Sequence, residues 1–243
     1  MRLYGNTDIG KRRGSNQDTY RYSKVSENLV WTMVLDGMGG VNGGDIASST
    51  AAEAIESVLM AELNDELSAT GIREVMEKAV KEANTAVFSK SVDYPELRGM
   101  GTTVVLAVVK GDKVHIVHVG DSRAYFVDGN CETQITEDHS FVQSLIRYGE
   151  ITREQARTHP RKNIITRSIG AHSMVECDYC QMNFPHDDIL LLCSDGLSDY
   201  LVDGVLKDFA SRVSPESLCD ELIAYALDCG GRDNVTVTAV VND

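Results

Sequence analysis

The stretch TVVLAVVKGDKVHIVHV, residues 103–119, decides the fold. Two runs rich in β-branched apolar residues are separated by Gly111-Asp112, which is typical of two strands joined by a tight turn. A second hairpin signal follows, because the strand-like run Ala124–Val127 leads into Asp128-Gly129-Asn130. Hairpins pair their strands antiparallel, so the sequence argues against a doubly wound parallel sheet.

Helical periodicity occurs on both sides of these strands. Apolar residues recur at helical spacing over residues 46–63 and again over 72–87, and the short link between the two runs predicts an antiparallel pair. One further helix is predicted over residues 202–209, and another begins at Ser214-Pro215, where Ser suits the N-cap and Pro the first turn. Together the patterns predict an α+β fold: a four-layer αββα sandwich of two antiparallel sheets flanked by antiparallel helix pairs.

Three aspartates stand where an apolar run meets glycine. Asp36 and Asp195 follow runs that are typical of buried strands, and Asp233 precedes one; the runs are Leu29–Leu35, Ile189–Cys193 and Val235–Val241. If the three strands lie side by side, the carboxylates converge, and such packed like charges are costly unless a cation compensates them. Oxygen ligands favour magnesium, manganese or calcium over zinc. A single Asp-Gly pair is ordinary turn chemistry, so the metal hypothesis depends on the three occurring together.

Length and charge exclude several classes of protein. The 243 residues contain no repeat, low-complexity tract or Pro-rich linker, which predicts a single domain over residues 1–243. The net charge of −14 argues against general binding to nucleic acid or to an anionic membrane, since both favour a basic surface. No apolar run is long enough to span a bilayer, and the polar first five residues are unlike a signal peptide, so a cytoplasmic location is expected.

A series of short motifs runs in order along almost the whole chain. They are Asp8-Ile9-Gly10 with Arg13, Asn16-Gln17-Asp18, Asp36-Gly37-Met38-Gly39-Gly40, Gly101-Thr102-Thr103, Gly120-Asp121-Ser122-Arg123, Asp138-His139-Ser140, Asp195-Gly196 and Gly231-Arg232-Asp233-Asn234. One such motif is weak, but the ordered set is specific. In this set the chain resembles the PPM, or type 2C, family of metal-dependent serine/threonine protein phosphatases, and in its compactness the bacterial members that consist of the catalytic domain alone.

The resemblance implies a centre with two ions, Mn²⁺ or Mg²⁺, and a third ion in bacterial relatives. Asp36 matches the carboxylate that bridges the two ions, and Gly37 matches the residue whose backbone carbonyl adds a ligand. Asp195 and Asp233 match the carboxylates on one ion. A carbonyl oxygen suits such hard cations, and the missing side chain leaves it approachable.

Three further residues take their roles from the same resemblance. Asp18 matches an acid that holds the other ion mainly through water, and Asp121 matches an acid that supports the third ion together with Asp195. Arg13 matches the guanidinium that grips the phosphate, since its fork fits two phosphate oxygens and it stays charged. Ions of this kind lower the pKa of a shared water for in-line attack on phosphorus, so no phosphoenzyme is expected.

The function implied is hydrolysis of phosphoserine and phosphothreonine in proteins, opposing a bacterial serine/threonine kinase, by a monomer that binds neither nucleic acid nor membrane. One alternative is a pseudophosphatase that binds phosphoproteins without hydrolysing them. Such a protein should lack one of the direct metal carboxylates, and this chain lacks none. A phosphoesterase acting on small molecules or nucleic acid is disfavoured by the charge, although fold alone would not exclude it.

The chain departs from the family pattern at two positions. Met38 stands where some relatives carry a histidine assigned as general acid, and methionine has no proton to donate. Gln17 stands where many relatives have glutamate, which keeps an oxygen acceptor but loses a charge. His139 is expected to form structural hydrogen bonds rather than to act in catalysis. The basic segment at about residues 141–165 matches the variable flap beside the active site of bacterial relatives and is expected to form short helices and loops.

Overall fold

The hairpin expected from residues 103–119 is present in the computed structural model, which describes residues 1–39, 43–129 and 131–243. The strands are β1 (Arg2–Asp8), β2 (Asp18–Lys24), β3 (Leu29–Met38), β4 (Gly101–Thr102), β5 (Val104–Lys110), β6 (Lys113–Val119), β7 (Arg123–Val127), β8 (Glu132–Gln134), β9 (Asp178–Asn183), β10 (Ile189–Cys193) and β11 (Val235–Val241). The α-helices are α1 (Gly44–Glu62), α2 (Ala69–Asp93), α3 (Phe141–Arg147), α4 (Arg153–Arg157), α5 (Asp195–Ser198), α6 (Val205–Arg212) and α7 (Pro215–Asp228).

Two antiparallel sheets form the centre of the molecule. One has the order β1-β11-β10-β7-β8, and the other has the order β2-β3-β5-β6-β9, with β4 added on β3. Aliphatic side chains from both sheets meet between them, among them Val34, Val105, Leu190 and Val240, all fully buried. The hairpin predicted after Val127 is also found, as β7 pairs with β8, although Asn130 of its turn lies outside the described residues.

Helices cover the outer face of each sheet. The pair α1 and α2 buries an apolar face that includes Ile55 and Met76 against the sheet of β3 and β5, around Trp31 and Leu106. On the other side, α5, α6 and α7 pack on the sheet of β10 and β11, with Leu222 at the contact. The predicted four-layer αββα sandwich is therefore confirmed. Within the described ranges, no helix is long and apolar enough to cross a membrane.

The last strand differs from the sequence expectation. The alternation of Val and Thr in β11 is typical of a strand with one wet face, yet all seven residues are buried. The reason is that β11 is central in its sheet, with helix α7 on one face and the second sheet on the other. Its threonines face the second sheet, where the Thr32 hydroxyl donates a hydrogen bond to Thr238 Oγ1 at 2.8 Å. Hydroxyl pairing allows this polar face to be buried.

Candidate metal centre

Two of the candidate ligands face each other on neighbouring strands. Asp18 begins β2, and in the antiparallel register it lies opposite Asp36 of β3. Asp36 is also held by the segment between β4 and β5, since its backbone N–H donates to Thr103 Oγ1 at 2.9 Å. Strand β3 continues for two residues beyond Asp36, because Gly37 pairs with Thr102 of β4. Asp36 is therefore fixed inside a strand and not on a loop.

The other two strand-end aspartates come from the opposite sheet. Asp195 follows β10 and begins α5, whereas Asp233 lies just before β11. The condition that all three strands lie side by side is not met by β3, since only β10 and β11 are neighbours. The carboxylates instead approach one another across the sandwich. A direct link shows this, because Ser194 Oγ donates to Asp18 Oδ2 at 2.7 Å.

Asp121 reaches the same region from the turn after β6. It is 9% exposed, and the turn is tied to the Asp36 strand by a hydrogen bond of 2.7 Å between the hydroxyls of Ser122 and Thr103. Beyond the turn, Arg123 makes a forked pair with Asp138, with nitrogen–oxygen distances of 2.9 and 2.7 Å. These contacts fix the backbone on both sides of the carboxylate.

The five aspartates, 18, 36, 121, 195 and 233, are here called the carboxylate cluster. Burial, and then the neighbouring carboxylates, raise the pKa of Asp36 and of Asp121 well above the usual range. Burial likewise raises the pKa of Asp18 to about 7 and that of Asp195 to about 6. Within the described residues, the cluster's one ion pair joins Asp233 to Arg13. Negative charge in the cluster is therefore poorly compensated by the protein itself.

The cluster fits hard divalent cations. Asp18 Oδ1 and Asp195 Oδ1 are buried and have no hydrogen-bond partner in the described parts of the chain. Buried polar atoms are normally paired, and the lone pairs of these two oxygens can bind a cation. The donors are oxygens only, as magnesium and manganese prefer. Within the described residues, no three of these carboxylates place ligand oxygens within 4.8 Å of one another.

A family model described as protein phosphatase 2C matches residues 10–226. The chain belongs to the protein phosphatase 2C family. The match spans four of the five aspartates, and its C-terminal boundary falls in α7, just before Asp233.

Relatives of known structure or name agree with this membership. The serine/threonine phosphatase stp of Listeria welshimeri is 38% identical over 235 residues, which cover 96% of this chain and 93% of the relative. The crystal structure of serine/threonine phosphatase Stp1 from Staphylococcus aureus matches with a TM-score of 0.92 at 34% identity, covering 99% of this chain and 94% of that one. The catalytic domain of the protein phosphatase PstP, in complex with two manganese ions, matches with a TM-score of 0.84 at 34% identity and covers 100% of this chain and 98% of its own.

Arg13 lies at the mouth of the carboxylate cluster of this phosphatase 2C chain. Its guanidinium is half-exposed and hydrogen-bonds to Asp233 Oδ2, a contact that raises the pKa of the arginine. The loop that carries it is clamped by Asn234, whose side-chain amide donates to the carbonyls of Ile9 and Ser15 and accepts from the N–H of Gln17. Asn234 was present in the sequence motif, but only the structure gives it this role.

Asp199 is a charged neighbour that the sequence analysis missed. It follows α5 one helical turn after Asp195, and its charge contributes to the raised pKa of Asp195. Its carboxylate is paired with Lys162 Nζ at 2.5 Å. The spacing of four residues would have been sufficient to find it had a helix been predicted after Ser194, since residues i and i+4 share a face.

The flap-like segment, residues 141–165, contains α3 and α4 and is closed at its base by a bridge between Ser140 and Ile165. The chain then continues to Ile169, which pairs with Thr102 of β4, the strand that also contacts Gly37. Together with the pair between Lys162 and Asp199, these contacts place the segment beside the carboxylate cluster.

His139 has a structural role, as expected. Its ring Nδ1 accepts from the N–H of Gly120 at 3.1 Å, and its backbone N–H donates to the Gly120 carbonyl at 2.9 Å, so it holds the turn that carries Asp121. His118, His139 and Asp178 place possible ligand atoms within 4.8 Å of one another. A cation already lies there, because Arg167 Nη1 is 2.7 Å from Asp178 Oδ1 and 3.3 Å from His139 Nε2. The cluster is therefore an internal charge network and not a metal site.

This network predicts a measurable sensitivity to acid. Burial, and then the charges of His118 and Arg167, lower the pKa of His139 to about 4. An unfolded histidine titrates near about 6.5, so the unfolded chain binds more protons between these values, and the free energy of unfolding falls as the pH is lowered through that range. In His139→Gln this loss between about pH 6.5 and pH 5 should be smaller by about 1 kcal/mol, allowing for solvent screening.

Urea unfolding of the chelated protein at several pH values measures this difference. His172→Gln is the matched control, because it makes the same change of side chain at an exposed position. Parallel pH profiles for the wild type and His139→Gln would contradict the assignment of a depressed pKa to His139.

Proposed function

We propose that this phosphatase hydrolyses phosphoserine and phosphothreonine in proteins at the carboxylate cluster, with Mn²⁺ or Mg²⁺ as its cofactor. The observation that carries the proposal is the convergence of five aspartates from both sheets, two of them with buried oxygens that lack a partner. Membership of the protein phosphatase 2C family and the two manganese ions in the PstP structure support it.

Each residue of the cluster takes a defined part in this proposal. Asp36 would bridge the two ions, with the Gly37 carbonyl as a further ligand. Asp195 and Asp233 would hold one ion, and Asp18 would hold the other mainly through water. Asp121, with Asp195, would support a third. When bound, the ions lower the pKa of water for attack on phosphorus and stabilise the charge on the phosphate oxygens.

The chain's own residues orient the substrate. Arg13 is held at the mouth of the cluster by Asp233, where phosphate oxygens can replace that carboxylate as partners of the guanidinium fork. Met38 ends β3 and has no proton to give, so the leaving alkoxide would take its proton from a metal-bound water or depart unassisted. The rigid support of Asp36, on a strand paired on both sides, keeps the reacting groups in place without rearrangement.

The finer parts of the proposal concern context. We propose that residues 1–243 act as one phosphatase domain with residues 141–165 as its flap, that the protein works as a monomer in the cytoplasm, and that it opposes a serine/threonine kinase. The bacterial origin of the phosphatase relatives supports this context. Exposed large apolar side chains such as Met60, Tyr148 and Met174 lie on separate elements, which favours a monomer. Light scattering coupled to size-exclusion chromatography should give the mass of one chain, 26.6 kDa.

Release of phosphate from peptides tests the proposed function. A phosphothreonine peptide and a phosphoserine peptide should be hydrolysed with Mn²⁺ or Mg²⁺, activity should fall to background in excess chelator, and added metal should restore it. A phosphotyrosine peptide of the same sequence serves as the control for substrate class. If folded, metal-loaded protein releases no phosphate from any of several phosphopeptides, the enzyme hypothesis is wrong and a phosphoprotein-binding role takes its place.

A further inference from the structure

The flap-like segment is a basic island on an acidic protein. Between residues 141 and 165 there are five lysines and arginines against two glutamates, although the whole chain carries a net charge of −14. Phosphorylated proteins are themselves anionic at the site of modification, so most of this surface repels them. Arg13 and bound metal ions can attract the phosphate itself, but attraction for the residues that flank it requires a further basic region.

Two of the five cations in the segment have structural partners. Arg147 donates to Glu137 Oε1 at 2.6 Å, and Lys162 is paired with Asp199. The other three, Arg153, Arg157 and Arg161, have no carboxylate in ion-pair contact among residues 1–39, 43–129 and 131–243. All three are exposed. Arg161 is oriented by Phe141, with the guanidinium carbon 3.7 Å from the ring centroid.

The local fold presents Arg153 and Arg157 together. They are the first and last residues of α4, and residues four apart lie on the same face of a helix. The short helix is fixed by a capping box between Thr152 and Gln155 and by the burial of Ala156. Like charges at this spacing disfavour the helix, so an anion bound to both arginines would stabilise it. The arrangement keeps two guanidinium groups free, adjacent and turned to solvent.

The position of the segment relates these arginines to the reaction. Lys162 joins the segment to Asp199, one turn from Asp195, and the bridge between Ser140 and Ile165 anchors its base. These contacts place the segment next to the part of the chain that carries Asp195.

We propose that Arg153 and Arg157, aided by Arg161, form a docking surface for acidic residues that flank the phosphoserine or phosphothreonine of the substrate. This inference rests on the proposed function and names the substrate class that the site favours. Arginine suits the role because its planar fork pairs with carboxylates through two hydrogen bonds. Since the pairs form at an exposed surface, each contributes a factor of a few in rate and weakens with salt.

Rates on matched peptides test the docking surface. A phosphothreonine peptide flanked by glutamates is compared with one flanked by glutamines, and p-nitrophenyl phosphate serves as a substrate too small to reach α4. The wild type should favour the acidic peptide in kcat/KM, and Arg153→Glu/Arg157→Glu should lower kcat/KM for that peptide about tenfold. The same variant should change the glutamine peptide and p-nitrophenyl phosphate less than about twofold. Added salt should remove the preference of the wild type.

Lys24→Glu/Lys81→Glu is the control with the same change in net charge. Asp18 is the first residue of β2 and Lys24 is the last, so the two lie about 20 Å apart along the strand. Lys24 is exposed, and so is Lys81 on α2. This variant should keep the preference for the acidic peptide. Arg153→Gln/Arg157→Gln should show a smaller loss than the glutamate pair. Equal rates of the wild type on both peptides, or equal losses of the variant on all substrates, would overturn the proposal.

A binding measurement separates this inference from the proposed function. Fluorescence anisotropy of a labelled, unphosphorylated glutamate-rich peptide is measured in chelator, where no hydrolysis occurs. Binding to the wild type but not to Arg153→Glu/Arg157→Glu supports the surface, even if no phosphopeptide is hydrolysed and the enzyme hypothesis fails. Hydrolysis of all phosphopeptides without any such binding or preference leaves the enzyme hypothesis intact and removes the docking surface.

Discussion

Asp36→Asn is expected to lower kcat/KM on a phosphothreonine peptide by at least about 1000-fold, which corresponds to about 4 kcal/mol of transition-state stabilisation. Asparagine has nearly the same shape, but its neutral amide cannot bridge two cations as a carboxylate does. The side chain lies opposite Asp18 and is surrounded by other members of the carboxylate cluster, so no neighbour takes over its position between the sheets.

The same substitution should stabilise the protein in chelator. Burial and neighbouring carboxylates raise the pKa of Asp36, which means that the folded state binds this proton more tightly than the unfolded state. The charged form therefore costs stability as the pH rises above the unfolded value, and removing the charge relieves that cost at neutral pH. Thermal unfolding in chelator measures the gain, and Asp93→Asn, an exposed position at the end of α2, is the control. Activity within tenfold of the wild type, or a less stable chelated variant, would contradict this account of the cluster.

Gly37→Ala should be a damaging small substitution in the site. A Cβ built on Gly37 meets the backbone carbonyl oxygen of Gly44 and lies 2.6 Å from that of Gln17. Neither atom can rotate away, because both belong to the backbone. The end of β3 must therefore move away from the start of α1 and from Gln17, the residue before Asp18. We expect a loss of about 3 kcal/mol in the free energy of unfolding and a loss of activity of about 100-fold or more.

Gly14→Ala is the matched control for Gly37→Ala. It lies in the loop beside Arg13, and a Cβ there meets nothing within 4 Å. Urea unfolding and the binding of Mn²⁺ by calorimetry, at a temperature where both variants are folded, measure the two effects separately. A Gly37→Ala protein that kept wild-type stability and metal affinity would show that the backbone at this point has more freedom than the packing indicates.

Much of the fold could be predicted from local sequence. The hairpin of residues 103–119 and the periodicity of α1 and α2 depend on residues that are close together in the sequence, so both can be recognised from the sequence alone. The burial of Thr236 and Thr238 could not be predicted, because it depends on which strand becomes central and which sheet covers it. The sequence around a threonine in a strand does not indicate whether its hydroxyl will hydrogen-bond to water or to another hydroxyl.

The candidate site shows the same limit. The aspartates that adjoin apolar runs could be found from their neighbours. Their approach across two sheets depends on the packing of the sandwich, which the local sequence does not indicate. Asp199 was missed although its spacing from Asp195 was visible. The clamp made by Asn234 joins residues more than 200 positions apart, and no local pattern indicates such a contact.

The central position of β11 has a consequence for synthesis of the protein. This strand lies between β1, the first strand along the chain, and β10, and it begins two residues after Asp233. Arg13 cannot pair with Asp233, 220 residues later in the chain, until that residue has been synthesised. The first sheet cannot form completely while residues 233–241 are still inside the ribosome. Until residues 233–241 have emerged from the ribosome, the chain has neither the central strand β11 nor a complete carboxylate cluster. A truncation before residue 233 should therefore remove both the partner of Arg13 and the strand that pairs with β1.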